Sequence, residues 1–186
     1  MSSNYLLGSV FLILILTLML VWLSMFLLHM RDFLTGDVPF ISTRKRVVSQ
    51  VIDALQLSES SILYDLGCGN GSILEHAVTK IKGVRGIGIE NGIIPFLLAK
   101  IYTRKLSIEV IRDNFFKTNI SPATHIYVYL FTDVLGKLAP KILQECKKGT
   151  RVVSCDYEIS DWVPIKIIDT TKKGDKLARK LYVYEI

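Results

Sequence analysis

The stretch that most constrains the fold runs from Ile62 to Ala77 and reads ILYDLGCGNGSILEHA. A short apolar run typical of a buried strand comes first, glycines follow at 67, 69 and 71, and a helical pattern begins at Ser72. Glycines let a strand stop abruptly, because they accept unusual torsions and lack the Cβ that would keep a ligand from the main chain. The stretch therefore predicts a strand–turn–helix unit whose turn holds a ligand across the end of the strand.

Apolar runs alternate with helical patterns along the rest of the chain. This alternation predicts an α/β fold in which a mostly parallel sheet carries helices on both faces. Two apolar segments near the C-terminus are typical of a β-hairpin, which would add an antiparallel strand near one edge. The predicted strands are 62–66, 84–90, 107–113, 125–131 and 150–157, the predicted helices are 43–57, 72–80, 94–104 and 134–146, and the hairpin strands are 165–169 and 179–186.

Acidic residues close the first three predicted strands: Asp65, Glu90 and Asp113. Glu90, 25 residues after Asp65, stands where a carboxylate can accept hydrogen bonds from both hydroxyls of a ribose. Asp65 precedes the glycines, where it would repel a pyrophosphate but attract an ammonium group. Asp113 is placed to accept from an adenine amino group. S-adenosylmethionine carries an ammonium, a ribose diol and an adenine but no phosphate, so the pattern favours this cofactor over a dinucleotide.

Two other interpretations of these residues stay open. Dinucleotide sites use G-x-G-x-x-G, whereas the glycines here give G-x-G-x-G and are followed by Ser72. Alternatively each acid simply caps a helix, since Asp is a favoured capping residue.

The N-terminal run Tyr5–Met30 contains no Lys, Arg, Asp or Glu. A helix of about 20 apolar residues crosses the hydrocarbon core of a bilayer, so we expect a transmembrane anchor over residues 1–30 that makes the bilayer a partner through residues 5–30. A cleaved signal peptide is the alternative. Against it, no basic residue precedes the run, the run is long, and no A-x-A site follows.

Basic side chains follow the apolar run, and none precedes it: they are Arg31, Arg44, Lys45 and Arg46. The positive-inside rule then places the rest of the chain on the cytoplasmic side, or on the matrix side in an organelle. We therefore expect a single-pass membrane protein with a juxtamembrane segment and leading helix at 31–60 and a ligand-binding domain at 61–186.

Cysteine content and charge argue against several classes of protein. The three cysteines, Cys68, Cys146 and Cys155, are odd in number and form neither a CxxC motif nor a Cys/His cluster. A disulfide framework or a metal site is therefore not expected. The net charge of +6 is moderate and does not require a nucleic-acid partner.

The motif YDLGCGNG resembles the first motif of the class I S-adenosylmethionine-dependent methyltransferases, and GIGIE resembles their second. The segments PFISTRKRVVSQVIDAL and LAPKILQECKKGTRVVSCDYEISDWVP, behind a membrane segment, are similar to a narrower group. These are the small membrane-anchored lysine methyltransferases of the ATP synthase c subunit and the adenine nucleotide carrier, and their prokaryotic relatives. The resemblance implies a Rossmann-like, seven-stranded sheet, mostly parallel with an antiparallel C-terminal hairpin, and S-adenosylmethionine as cofactor.

The predicted cofactor-binding residues extend beyond the three acids. Phe40 and Thr43 precede the first helix and are expected to fold over the cofactor, although a hydrophobic staple with a Thr cap is the alternative. Asn70 departs from the family, because relatives often carry Asp there; Asn keeps the hydrogen bonding but loses a charge. Cys68 is alternatively only a small residue in the turn. The full predicted set is Phe40, Thr43, Asp65, Gly67, Cys68, Gly69, Asn70, Gly71, Glu90, Asn91, Asp113 and Asn114.

The sequence contains fewer features that indicate which chemical group accepts the methyl group. The sequence YLFTDVL after the fourth strand lacks the [ND]-P-P-[YFW] signature of enzymes that methylate amides and adenine amino groups. Tyr129 ends that strand and Trp162 follows the fifth, so both are predicted to line the methyl-transfer pocket; core packing is the alternative for each. No catalytic base stands out, and a lysine acceptor does not demand one, because a low-dielectric site beside a sulfonium lowers the pKa of an entering amine.

We therefore expect a membrane-anchored methyltransferase that modifies a lysine of a membrane protein, since a tether raises the effective concentration of a bilayer-embedded target. One alternative is a methyltransferase for a lipophilic small molecule, such as a quinone or a lipid precursor. Another is a non-catalytic domain that only binds S-adenosylmethionine.

Overall fold

The computed structural model describes residues 2–34, 43, 45–171 and 180–186. The chain divides into two compact units, Met1–Pro39 and Phe40–Ile186. The predicted cofactor residue Phe40 lies outside the described residues.

The first unit is built on one helix, α1 (Ser2–Leu34), which continues four residues past the predicted end of the anchor at residue 30. Its segment Gly8–Leu27 has a mean hydropathy of 2.8 and is long and apolar enough to cross a membrane, a test that a signal sequence also passes. The hydroxyls of Thr17 and Ser24 donate to backbone carbonyls three residues earlier, at 2.8 Å each. These polar groups are therefore satisfied within the helix, as an apolar surrounding requires.

The second unit contains a seven-stranded sheet of order β3-β2-β1-β4-β5-β7-β6. Strands β1 to β5 pair in parallel, whereas β7 pairs antiparallel with both β5 and β6. The predicted fold class, including the antiparallel hairpin at one edge, is confirmed. The strands are β1 (Ile62–Leu66), β2 (Arg85–Ile89), β3 (Ile108–Ile111), β4 (His125–Val128), β5 (Arg151–Cys155), β6 (Lys166–Asp169) and β7 (Lys180–Glu185).

Among the described residues of this unit, the helices are α2 (Lys45–Leu55), α3 (Ser72–Lys80), α4 (Ile93–Thr103) and α5 (Thr132–Glu145). Helices α2 and α3 bury their apolar stripes in one core with Leu63, Val153 and Val183 of the sheet. Since side chains alternate across a strand, these three residues share one face. The leading helix α2 thus packs into the same core as the sheet.

The order of the strands reverses between β1 and β4. From β1 the chain passes through α3 to β2 on one side, and from β4 it passes through α5 to β5 on the other. Right-handed crossovers in opposite directions put their helices on opposite faces and open a crevice at the carboxyl ends of β1 and β4. Ligands of open α/β sheets bind at this position.

Strands β3, β4 and β5 end two or three residues earlier than their apolar runs predict. Beyond these strand ends, Asp113 bonds to Asn114 and Thr118, and Tyr129 bonds to Asp156. Asp113, Tyr129 and Asp156 therefore lie in loops at the carboxyl edge of the sheet rather than within strands.

Candidate functional site

The glycine turn after β1 has the backbone conformation that the sequence predicts. Gly67, Gly69 and Gly71 have φ values of +83°, +56° and +78°, a region that side chains with a Cβ rarely adopt. The amides of Gly67 and Cys68 both donate to the Ile89 carbonyl, at 2.8 and 3.1 Å. The turn is therefore tied to the end of β2, next to the acid that follows that strand.

Glu90 joins the glycine turn to the start of α4. Its Oε2 accepts from the Gly69 amide and its Oε1 from the Gly92 amide, both at 2.8 Å. A carboxylate offers about four lone-pair positions, so bonding to two amides does not by itself preclude bonding to a ribose diol, which stays a prediction. Glu90, the residue predicted to bind the ribose, therefore also stabilises the conformation of the loop in which it lies.

Asp65 is the buried acid of the crevice. It is 2 % exposed, and within the described residues its carboxylate forms no hydrogen bond. Burial, and secondarily the negative charge of Glu90, raise the pKa of Asp65 to about 8. A buried carboxylate is stable only when it is paired, so a cation or a proton must accompany this group. The ammonium group of S-adenosylmethionine fits that requirement.

Thr43 lies close to this acid. Its hydroxyl shares a buried 2.7 Å hydrogen bond with the hydroxyl of Tyr127, and Tyr127 is the register partner of Asp65 in the β1–β4 pair. Thr43 therefore lies beside the strand that pairs with β1, and its contact with the cofactor stays a prediction.

Asp113 and Asn114 organise a turn after β3. Asp113 accepts from the Asn114 amide at 2.7 Å and from the Thr118 hydroxyl at 2.9 Å, and these bonds lower its pKa. Asn114 accepts from the Phe116 amide at 2.9 Å. These bonds stabilise a turn and do not cap a helix, since the described residues between β3 and β4 contain no helix, and the contact of Asp113 with adenine stays a prediction.

Other members of the predicted set have structural contacts. Asn70 Oδ1 accepts from the Ser72 amide at 3.3 Å at the start of α3, a bond that Asp would also make. Cys68 is buried against β2, where a Cβ on Gly88 would come within 2.7 Å of its sulfur. Asn91 is half-buried beside Glu90.

A second group of side chains meets at the ends of β4 and β5. The Tyr129 hydroxyl donates to Asp156 Oδ2 at 2.8 Å. The ring of Tyr157 lies 6.4 Å from that of Tyr129 and 5.4 Å from that of Phe131, between centroids. Asp156 has a φ of +64°, and strained torsions of this kind are enriched at functional sites. We name Tyr129, Phe131, Asp156 and Tyr157 the acceptor cluster.

Three of these four residues were missed by the sequence interpretation. Asp156 follows a strand just as Asp65, Glu90 and Asp113 do, so the same rule extended to the fifth strand identifies it. Its pairing with Tyr129 depends on β4 and β5 being neighbours, which the sequence alone does not give.

Trp162 is not brought together with Tyr129. Its ring packs edge-on against Tyr184 at 5.6 Å between centroids, and Tyr184 is the register partner of Val152. Val152 lies three residues before the carboxyl end of β5, or about 10 Å along the strand. These contacts agree with the core-packing alternative for Trp162.

Within the described ranges, no three His, Cys, Asp or Glu side chains come together in a way that could hold a metal ion. Cys68 and Cys155 are buried and Cys146 is half-buried, all as free thiols.

The fold and the crevice place this protein among the class I S-adenosylmethionine-dependent methyltransferases. More narrowly, a family model described as the ANTKMT methyltransferase domain matches residues 65–166, and the chain belongs to that family. The predicted family, the enzyme class and the cofactor are thereby confirmed.

Individual relatives agree with this assignment. The chain is 34% identical to a protein-lysine N-methyltransferase of Saccharolobus islandicus, over 80% of this chain and 94% of the relative. It is 23% identical to a lysine N-methyltransferase of the ATP synthase c subunit from Caenorhabditis elegans, over 67% and 69%. Among solved structures, an RNA methyltransferase of Salinibacter ruber in complex with S-adenosyl-L-homocysteine superposes with a TM-score of 0.71 at 31% identity, over 78% of this chain and 94% of that one.

Proposed function

We propose that this protein is a membrane-anchored protein-lysine N-methyltransferase that modifies a lysine of a membrane protein. The observation that carries the lysine acceptor is the acceptor cluster, an acid and three aromatic rings at the ends of β4 and β5. The activities named for the archaeal and nematode relatives support the same acceptor.

The chain's own residues would hold the cofactor on the β1 side of the crevice. Asp65 would pair with the ammonium, Glu90 with the ribose hydroxyls, and Asp113 with the adenine amino group, while Thr43 closes the crevice from the segment before α2. When bound, S-adenosylmethionine supplies an electrophilic methyl group on a sulfonium. Because such a transfer is an in-line displacement, the main task of the protein is to align the acceptor and exclude water.

The acceptor cluster would position the amine on the β4 side. Asp156 attracts a lysine ammonium, and aromatic faces favour a cation and its alkyl stem. The Tyr129 hydroxyl already donates its proton to Asp156, so its oxygen can accept an N–H of the entering amine and direct the nitrogen lone pair. The ammonium must first release a proton to solvent, and desolvation of the charged form favours that release.

The anchor would be α1. Its segment Gly8–Leu27 has the length and hydropathy of a membrane span, and the basic residues that follow favour a cytoplasmic or matrix location for the rest of the chain. A tether concentrates the enzyme on targets that stay in the bilayer.

Incubation of the full-length protein with native membranes and methyl-labelled S-adenosylmethionine tests the proposal. We expect label on the ε-nitrogen of a lysine in a membrane protein, located by mass spectrometry. Label confined to the organic extract would instead establish the lipophilic small-molecule alternative, which the same apolar helix favours. Label confined to RNA, the acceptor class in the name of the Salinibacter protein, would also refute the proposal. Cofactor binding without any label would indicate the non-catalytic alternative.

A further inference from the structure

Helix α4 presents an apolar stripe to solvent. Ile94, Leu97 and Ile101 are 40, 51 and 57% exposed, and their spacing of three and four places them on one side of the helix. Ala99 and Thr103, on the opposite side, are buried in the domain. The apolar stripe therefore points directly away from the core.

A helix on the surface of a soluble domain is normally polar on its outer side, and a helix that is apolar all round is normally buried. Apart from Lys100 and Thr103, the residues of α4 are apolar, yet only one side of the helix is covered by the second unit. The contrast with α5 is direct, because the exposed positions of α5 include Asp133, Lys137 and Gln144. The outer side of α4 thus has the composition of a surface that is covered by an apolar partner.

The charged residues on α4 and directly after it are all positive. Residues 91–108 contain no Asp or Glu, and the exposed cations Lys100, Arg104 and Lys105 lie at the C-terminal end of α4. An apolar stripe beside Lys and Arg is the composition of helices that lie in the interface of an anionic bilayer.

A groove beside the stripe fits a lipid headgroup. It has a volume of about 400 Å³. The two cations Arg104 and Lys105 face a single carboxylate, Glu75, so the groove favours an anion such as a phosphate. The lining residues are Glu75, Thr79, Ile101, Tyr102, Arg104, Lys105 and Leu106.

We propose that α4 docks into the surface of an anionic membrane, with the apolar stripe among the acyl chains and a lipid phosphate at Arg104 and Lys105. This contact is additional to the proposed anchor and does not require α1 to be inserted. Docking would hold the start of α4, where Gly92 bonds to Glu90, against the bilayer. The cofactor loop would then face a membrane-embedded acceptor.

Tryptophan quenching by brominated phospholipid tests the docking in full-length protein reconstituted into nanodiscs. In a Trp22→Phe, Trp162→Phe background, Leu97→Trp places the reporter on the stripe. Leu143→Trp on α5 is the matched control, because the two leucines are 51 and 54% exposed. A third variant that retains only Trp22 reports on insertion of α1.

We expect the Leu97→Trp emission to shift to the blue and to be quenched in discs that contain phosphatidylglycerol, while the Leu143→Trp emission is unchanged. Because a basic residue near an anionic surface contributes about 1 kcal/mol, changing both Arg104 and Lys105 to Gln should lower the ratio of docked to undocked protein roughly 30-fold. In discs of phosphatidylcholine alone the quenching should be much weaker.

Equal emission from the two reporters would overturn the docking. A blue shift at Leu97→Trp without quenching would also overturn it, because a protein partner then covers the stripe. If Trp22 is quenched and Leu97→Trp is not, only the docking fails and the anchor stands. If Leu97→Trp is quenched and Trp22 is not, the docking stands and the proposed anchor fails.

Discussion

The burial of Asp65 leads to a prediction about the stability of the protein as well as about the binding of its cofactor. Replacing Asp65 with Asn removes the charge while nearly preserving the shape of the side chain. If the ammonium of the cofactor is the partner of this acid, the variant should bind the cofactor poorly and yet be more stable than the wild type at neutral and alkaline pH. The same substitution would then raise the stability of the protein and weaken its binding of the cofactor.

The magnitude follows from the raised pKa of Asp65, about 8 in the folded protein against 3.8 for an ordinary Asp. Below the lower value the carboxyl is protonated in both states, so folding is not opposed. Between the two values the folded state keeps a proton that the unfolded state has released, so stability falls as pH rises, until the loss is complete above the higher value. From about pH 6 to about pH 8 the loss amounts to roughly 2 kcal/mol.

Thermal unfolding of the full-length protein in detergent measures this loss. The midpoint of Asp65→Asn should exceed that of the wild type by about 6 °C more at pH 8 than at pH 6. Taking the difference between the two proteins cancels other groups that titrate in this range, such as His125, whose pKa burial lowers. Asp53→Asn is the control, since Asp53 pairs with Lys80 on the exposed surface and such pairs contribute little.

The cofactor side of the same prediction is measured by calorimetry. S-adenosylhomocysteine retains the ammonium, so its affinity for the wild type should rise between about pH 6 and about pH 8 as Asp65 ionises. Asp65→Asn should bind it weakly at both values. A stability difference that does not change with pH, together with wild-type affinity in the variant, would refute the reasoning that this buried acid pairs with the ammonium of the cofactor.

Three other predictions concern single contacts. Glu90→Gln offers one oxygen where two amides now bond. The affinity for S-adenosylhomocysteine, measured by calorimetry, should therefore weaken by about 1–3 kcal/mol, and an unchanged affinity would contradict a role of Glu90 in cofactor binding. Asp156→Asn should lower kcat/KM for a single-lysine peptide about tenfold and leave cofactor affinity unchanged. Asp161→Asn is the control, because Asp161 has the same φ of +64°, and it should not change kcat/KM. Equal losses of kcat/KM in the two variants would indicate that Asp156 has only a structural role. Gly71→Ala should destabilise the protein by about 2 kcal/mol because its φ is +78° and space is tight, while Gly136→Ala, with open space in α5, should stabilise it by about 0.5–1 kcal/mol, as measured by denaturant unfolding.

The local pattern of the chain predicted most of the fold. The glycine turn at 67–71 and the alternation of apolar runs with helical patterns indicated the mostly parallel sheet and its hairpin. These features are local because glycine torsions, strand patterns and helix patterns depend on neighbours in the sequence. The sequence also indicated Glu90 as a candidate ribose-binding residue, because its distance from the glycines along the chain is that of one βαβ unit.

The ends of strands were less predictable. Tyr129 and Asp113 were placed within strands by their apolar neighbours, but their side chains bond to groups outside the ladder. A strand continues only as far as a neighbouring strand offers hydrogen-bond partners. The apolar pattern of the sequence does not show at which residue this pairing ends.

The sequence by itself determined the class of enzyme and the cofactor, because the glycine turn and the acids that close the first three strands follow one another in a characteristic order along the chain. Only the tertiary structure decided which groups meet at the ends of β4 and β5. Asp156 meets Tyr129 because β4 and β5 are adjacent, and Trp162 packs on Tyr184 because β7 inserts beside β5. Likewise, the outward direction of the α4 stripe follows from the side that the sheet covers. These outcomes depend on pairings between segments far apart in the chain, and local periodicity carries no information about such pairings.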